Sequence, residues 1–261
     1  MNFTNTAGPP ELFRQKYRFM FSFKQFTIRQ DRAAMKVCTD ACVLGAYADV
    51  ANAGFTATTE PGMRILDIGT GTGLLALMAV QRNPHALVDA VEVDDAAFEQ
   101  AVDNVAASPF AARIRVVHQR IQDFTSTGVL YDRILTNPPF YTNHLRSPDS
   151  ALNRALHTDD LPFLELVEAV NRLLKPEGQW WVLLPPPETG KLTELAGKAG
   201  LRPFHQLALR HHAHKPVFRL ITGFSFKSTS LVNETLDIHD ADGRAYTAAF
   251  RSLLRDFYLI F

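Results

Sequence analysis

The sequence predicts an α/β protein whose core is a mostly parallel sheet of seven strands with helices on both faces. Three observations predict it. Short β-branched runs alternate with longer stretches of helical period between Arg64 and Leu184, the pattern of strand–helix–strand crossovers. A turn holding Gly69, Gly71 and Gly73 joins the first of those strands to the first helix. Beyond residue 200, two strand-like runs follow one another with no helical stretch between them, which marks an antiparallel pair. The 261 residues suit one α/β unit, which can run to about 250 residues, carrying a small appendage. An apolar fraction of 46% with 21% charged residues excludes disordered and fibrous classes.

The appendage comes first. Lys24–Ile28 reads as a strand and Thr39–Val50 as a helix with Thr39 or Asp40 as N-cap. Residues 1–52 form this N-terminal extension, Asn52 to Gly62 a linker, and residues 62–261 the main domain. In the main domain Arg64–Ile68, Leu87–Val93, Arg113–His118, Tyr131–Thr136 and Gln179–Leu184 read as strands, and Leu74–Arg82, Asp95–Ala107 and Leu161–Leu174 as helices. Pro203–Leu209 and Phe218–Phe226 are the antiparallel pair, expected to close the sheet edge. Trp180 and Trp181 lie in a strand covered on both faces, so both belong to the core. Cys38 and Cys42, four residues apart in an apolar stretch, suit two small buried hydrophobes better than a bridge, and two thiols alone make no zinc site. The longest run without glycine or polar residues, Leu74–Val80, is far shorter than the roughly 20 residues of a membrane span. No basic-then-apolar leader occupies Met1–Glu11, so a cytoplasmic protein is expected.

Twenty-seven basic residues balance 27 acidic ones, but they are unevenly spread. Residues 1–36 carry seven basic side chains against Glu11 and Asp31. Residues 195–233 carry six and no acid, with His205, His211, His212 and His214 interleaved. Such segregation can draw a polyanion to one face of a neutral molecule. A solvated strand-and-loop surface is the plainer alternative. The histidines alone are a weak metal signal, since no cysteine or acid lies within ten residues of the cluster.

Asp67-Ile68-Gly69-Thr70-Gly71-Thr72-Gly73 ends a strand and opens a helix, where side chains would block a ligand's approach to the backbone. Ligands of open α/β sheets bind outside the carboxyl ends of the strands. Glu92 ends the next strand, and a carboxylate there can take ribose hydroxyls, so loop and acid together point to an adenosine-type cofactor. The dinucleotide fingerprint counted from Gly69 requires a third glycine at 74, where Leu74 stands; counted from Gly71 it meets Ala76, a tolerated substitution. No Gly-Lys-Ser/Thr follows, so a nucleotidase-type phosphate loop is excluded. Asn137-Pro138-Pro139-Phe140 follows the fourth core strand at the same sheet edge. Two prolines stiffen the segment and lack N–H donors. The Asn137 oxygen and the Pro138 carbonyl can therefore both accept from one NH₂ group, which localises the nitrogen lone pair and aims it outward. Phe140 offers a π-face for the ring that carries the amine.

The order Asp67–Gly73, Glu92, Asp123-Phe124, Asn137–Phe140 and Leu174-Lys175-Pro176-Glu177-Gly178 resembles the class I S-adenosylmethionine-dependent methyltransferases that methylate amino groups, with their Rossmann-like fold. Within them the chain is similar, over nearly its whole length, to the bacterial enzymes acting on N6 of adenine 37 in tRNA(Val). The closer likeness rests on Phe23–Arg29, Lys36-Val37-Cys38-Thr39-Asp40, Lys215-Pro216 with Arg219, Tyr246-Thr247, and Leu254-Arg255-Asp256-Phe257-Tyr258-Leu259. The resemblance implies that Gly69, Gly71 and Gly73 line the methionine part of the cofactor and that Glu92 holds its ribose. It implies that Asp123 takes the cofactor's adenine amine with Phe124 beside that ring, and that Thr39 and Asp40 close the pocket from the N-terminal extension. Asn137, Pro138, Pro139 and Phe140 would hold the target base.

The expected reaction is methyl transfer from S-adenosylmethionine to an exocyclic amine, with S-adenosylhomocysteine as product, no metal and no obligate protein partner. A base must leave its stack to enter such a site, which favours an anticodon loop. Arg29, Lys36, Arg210, Lys215 and Arg219 are the candidate RNA contacts, and Arg154 and His157 are possible lid residues. The same site chemistry would serve rRNA guanine N2, DNA adenine N6 or protein glutamine N5. A non-catalytic RNA-binding module and a nicotinamide oxidoreductase are the remaining alternatives.

Overall fold

The computed structural model describes residues 19–50, 62–126, 128–139, 163–227 and 229–261. Phe140, Arg154, His157 and most of the linker lie outside them. The elements are β1 (Met20–Ser22), β2 (Thr27–Arg29), α1 (Thr39–Tyr47), β3 (Arg64–Ile68), α2 (Leu74–Arg82), β4 (Leu87–Glu92), α3 (Asp95–Ala106), β5 (Ile114–His118), β6 (Tyr131–Thr136), α4 (Phe163–Leu173), β7 (Leu174–Leu184), α5 (Pro186–Lys198), β8 (Arg202–Arg210), β9 (Arg219–Ser225), β10 (Val232–Asp237) and α6 (Ala248–Leu254).

Strands β3 to β10 form one sheet in the order β10-β8-β9-β7-β6-β3-β4-β5. β3 pairs parallel with β4 and with β6, β4 with β5, and β6 with β7. The chain therefore winds outward from β3 to β5, then returns to β6 on the other side of β3. Such a reversal opens a crevice at the carboxyl ends of β3 and β6, where open sheets bind ligands. β3 and β4 are buried almost throughout, as strands covered on both faces must be. One core cluster packs α1, α2 and α6 on one face; the other packs α4 and α5 on the opposite face. Trp180 and Trp181 are both buried, one in each cluster.

Four expectations change. Among the described residues the sheet has eight strands, because β10 pairs parallel with β8. β9 pairs antiparallel with both β7 and β8, so the antiparallel pair is inside the sheet and β10 forms the edge. In place of one strand over Lys24–Ile28, β1 and β2 pair as a hairpin, Met20 opposite Arg29, with the turn over residues 23–26; Phe23 N–H donates to Phe26 O at 2.8 Å. Helix α1 is capped at Cys38, with no side-chain cap bond. Asp40 is instead turned to Arg219, whose Nε donates to Oδ2 at 3.0 Å. Cys38 and Cys42 are free thiols, and burial pushes Cys42 up to about 12.

Candidate active site

A cavity of about 540 Å³ opens at the carboxyl ends of β3, β4 and β6. Gly69, Gly71, Glu92, Asn137 and Pro139 all line it, so residues up to 70 positions apart converge on one space. The glycine loop needs its glycines. Gly69, Gly71 and Gly73 have φ of 69°, 57° and 85°, the left-handed region that other residues avoid. A Cβ on Gly69 or Gly71 would meet nothing within 4 Å; the space it would enter is the cavity.

Two acids hold the loop from below. Glu92 is buried. Its Oε2 accepts from Gly71 N–H at 2.8 Å, and its Oε1 from Val93 and Asp94 N–H at 2.9 and 3.0 Å. A carboxylate has about four lone-pair sites, so one remains for a hydroxyl in the cavity. Burial raises the Glu92 pKa, and the three N–H donors oppose that rise. Asp67 is fully buried behind the loop. Its Oδ2 accepts from Thr70 Oγ1 at 2.5 Å and Ala76 N–H at 3.2 Å, while Oδ1 has no partner among the described residues. Burial, with the Glu92 charge adding to it, pushes Asp67 up to about 7 against those two bonds.

Asn137 follows Thr136, the last residue of β6, which is itself fixed by the buried Trp180 Nε1 donating to its hydroxyl at 3.1 Å. The Asn137 Oδ1 is buried and has no hydrogen-bond partner among the described residues. An orphaned amide oxygen costs roughly 1–3 kcal/mol, a penalty relieved when a ligand donates to it.

A further wall comes from the N-terminal extension, through residues other than Thr39 and Asp40. Ala33 to Val37, the strap between β2 and α1, lines the cavity, with Ala41 beside it. Helix α3 anchors the strap: Gln100 Oε1 accepts Arg32 N–H at 3.0 Å, and Asn104 bonds both the N–H and the C=O of Arg29 at 2.9 and 2.8 Å. Lys36 Nζ donates to the carbonyls of Gln30 and Ala33. Thr39 and Asp40 themselves are not among the lining residues, nor are Gly73, Pro138, Asp123 and Phe124. Asp123 is exposed and Phe124 is packed in the core; the adjoining wall is made by Gln119 to Gln122.

The basic residues are less concentrated in space than in sequence. Lys198 pairs with Glu194, Arg210 with Asp237, Arg219 with Asp40 and Lys227 with Glu177. Arg29, Lys36 and Lys215 are exposed. Among the described residues no group of three or more His, Cys, Asp or Glu side chains could hold a metal.

The methyltransferase small-domain family model matches residues 49–187, the stretch from the end of the extension through β7. In solved structures, a protein from Agrobacterium tumefaciens described as a predicted O-methyltransferase superposes with a TM-score of 0.60 at 19% identity, over 83% of this chain and 96% of that one. Fold and site together define a class I methyltransferase. A Dyadobacter fermentans protein named tRNA1(Val) (adenine(37)-N6)-methyltransferase is 48% identical over 92% of this chain and 98% of its own length. A Pseudoalteromonas translucida protein of the same name is 38% identical over 92% and 98%. The chain belongs to the family these proteins form.

Proposed function

We propose that this protein methylates the N6 amine of adenine 37 in the anticodon loop of tRNA(Val), with S-adenosylmethionine as donor. One observation carries the reading: the unpartnered Asn137 Oδ1 lines the same cavity as the glycine loop and Glu92. The residues fit the cofactor. The open space in front of Gly69 and Gly71 admits an extended ligand, and Glu92 keeps one acceptor site for a ribose hydroxyl. The cavity's size lies in the ordinary range of about 300–1,000 Å³ for such ligands. When bound, the cofactor supplies an electrophilic methyl carbon on a sulfonium sulfur.

The chain's task is then placement and exclusion of water. Asn137 Oδ1 and the Pro138 carbonyl accept hydrogen bonds from the two amine N–H groups, which turns the nitrogen lone pair out of the ring, and the surplus amine proton leaves to solvent once the methyl is bonded. Placement of this kind can contribute roughly 7–11 kcal/mol of barrier reduction. The strap Ala33–Val37 covers the cavity on the side of the N-terminal extension, in keeping with a role for residues 1–52 as a cover. Phe140, next to Pro139 in sequence, supplies the ring that the target base stacks on.

Asn137→Ala should lower single-turnover methylation of tRNA at least a hundredfold while changing cofactor affinity less than threefold. Mass analysis of nucleosides from the treated tRNA reads the first quantity and calorimetry the second. Wild-type rates in the variant would end the assignment. Methyl incorporation into rRNA, DNA or a glutamine-bearing protein in place of tRNA would redirect the substrate.

A further inference from the structure

The loop joining β8 to β9, residues 211–218, lies at the same edge of the sheet as Asn137. Register shows this. Thr136 pairs with Val182, Val182 with Thr222, and Arg219 with Leu209. Two strand spacings and three residues of rise therefore separate Asn137 from Phe218, roughly 14 Å. A few nucleotides of single strand span that distance. A chain of contacts links them: Ala41 lines the cavity, the buried Asp40 beside it pairs with Arg219, and Arg219 follows Phe218.

The loop is built as a platform. The His211 ring lies flat on Phe218, with centroids 4.3 Å apart and an interplanar angle of 6°. The Arg219 guanidinium is 5.6 Å from the centroid of the same Phe218 ring. The ends are pinned, since Phe218 N–H donates to Leu209 O at 3.0 Å and His239 N–H to His211 O at 2.9 Å. His211 and Lys215 are exposed, and Lys215 sits on a turn closed by its N–H on His212 O at 2.9 Å. Phe218 is partly buried against the core, but a core-filling role explains neither the exposed His211 ring laid on it nor an exposed lysine at this edge. The exposed Asp240, Asp242 and Arg244 flank Gly243, whose Cβ position lies 3.9 Å from His212. These acids offset the basic charge, so the loop does not act through a strong positive field.

We propose that this loop docks the unpaired nucleotides that flank the target adenine, His211 stacking one base on its Phe218 support and Lys215 taking one phosphate. The inference rests on the reading of tRNA as substrate. Stacking on an aromatic face tolerates any base, so the loop selects for unstacked nucleotides over a duplex and leaves the choice of sequence to other contacts.

The test measures tRNA binding by anisotropy between 50 and 300 mM salt, alongside cofactor binding by calorimetry. His211→Ala should weaken tRNA binding about fivefold or more, the lower bound for one stacked base, and His211→Phe should restore it. Lys215→Ala should reduce the slope of log affinity against log salt by about 0.7–0.9, one phosphate contact. Cofactor affinity should stay at the wild-type value in all three. Affinities within twofold of wild type in both alanine variants, on a tRNA that the wild type methylates, would overturn the docking loop and leave the substrate reading standing. Equal loss in His211→Ala and His211→Phe would overturn the stacking role. A wild type that neither binds nor methylates tRNA removes the substrate reading and the docking loop with it.

Discussion

Asp67 and Glu92 sit on neighbouring strands and are both buried, yet their surroundings differ. Glu92 meets three backbone N–H groups, whereas Asp67 leaves Oδ1 bare. The consequence is a carboxyl raised from 3.8 to about 7, burial being the first cause. Between about pH 4 and 7 the folded state then keeps a proton that the unfolded chain has released. Stability from this group is greatest below the unfolded value and is lost as pH rises through 7. Linkage puts the loss between pH 5 and pH 8 at about 2–3 kcal/mol. Asp67→Asn removes the titration, so urea unfolding at the two pH values should show a drop smaller by about that amount in the variant. An identical pH dependence in both proteins would mean that Asp67 ionises at its ordinary value. Glycine and acid were legible because both sit at strand ends, where sequence and space coincide. The bare oxygens of Asp67 and Asn137 were not, since an absent partner is a property of packing.

At the scale of elements, α3 ties the cofactor-side loop to the strap above the cavity. Asn104, almost fully buried, donates to Thr72 O at 2.8 Å as well as holding both backbone groups of Arg29. Asn104→Ala leaves three backbone groups without their partner. With a net value of roughly 0.5–1.5 kcal/mol for each of the three bonds, the variant should lose about 2–4 kcal/mol of stability. Amide exchange at residues 29–37 should also accelerate; unchanged exchange there would show that the strap is held by other contacts. Beyond Lys36 and Val37, which belong to the family likeness, the strap carried no sequence signal: Ala33–Met35 are neither periodic nor a motif and matter only through what they cover. Strands β3, β4 and β6 were readable as apolar β-branched runs. β10 was not, because Val232–Asp237 is largely exposed and carries Asn233, Glu234 and Asp237, a polar composition that protects a sheet edge. α5 was missed because it opens on Pro186 and Pro187 and contains Gly190 and Gly197, residues that suppress helical propensity while proline suits the first turn.

For the molecule as a whole, charges segregated along the chain are paired back across it, and the two ends of the described chain meet. Phe23 bridges to Tyr258, Lys24 N–H donates to Phe257 O at 2.8 Å, and Lys24 Nζ bonds the carbonyls of Arg255 and Phe261. An aromatic seam fills this junction: Phe21 stands 4.8 Å from Phe23, Phe23 lies 6.0 Å from Tyr258, and Phe250 lies 5.0 Å from Tyr246 and 6.4 Å from Tyr258. The β1–β2 hairpin held by that seam leads directly into the strap over the cavity. The seam therefore bears on the cover as well as on global stability. Phe250, fully buried, should cost about 3–5 kcal/mol when replaced by alanine, and cofactor affinity should fall with it as the hairpin loosens. Phe224→Ala offers the comparison: that ring is equally buried but belongs to the core cluster on the other sheet face. It should lose similar stability and keep more of the affinity. Denaturant unfolding and calorimetry with S-adenosylhomocysteine, on both variants at a temperature where each is folded, separate the two effects. Equal affinity losses would mean that the seam supports the fold without reaching the cover.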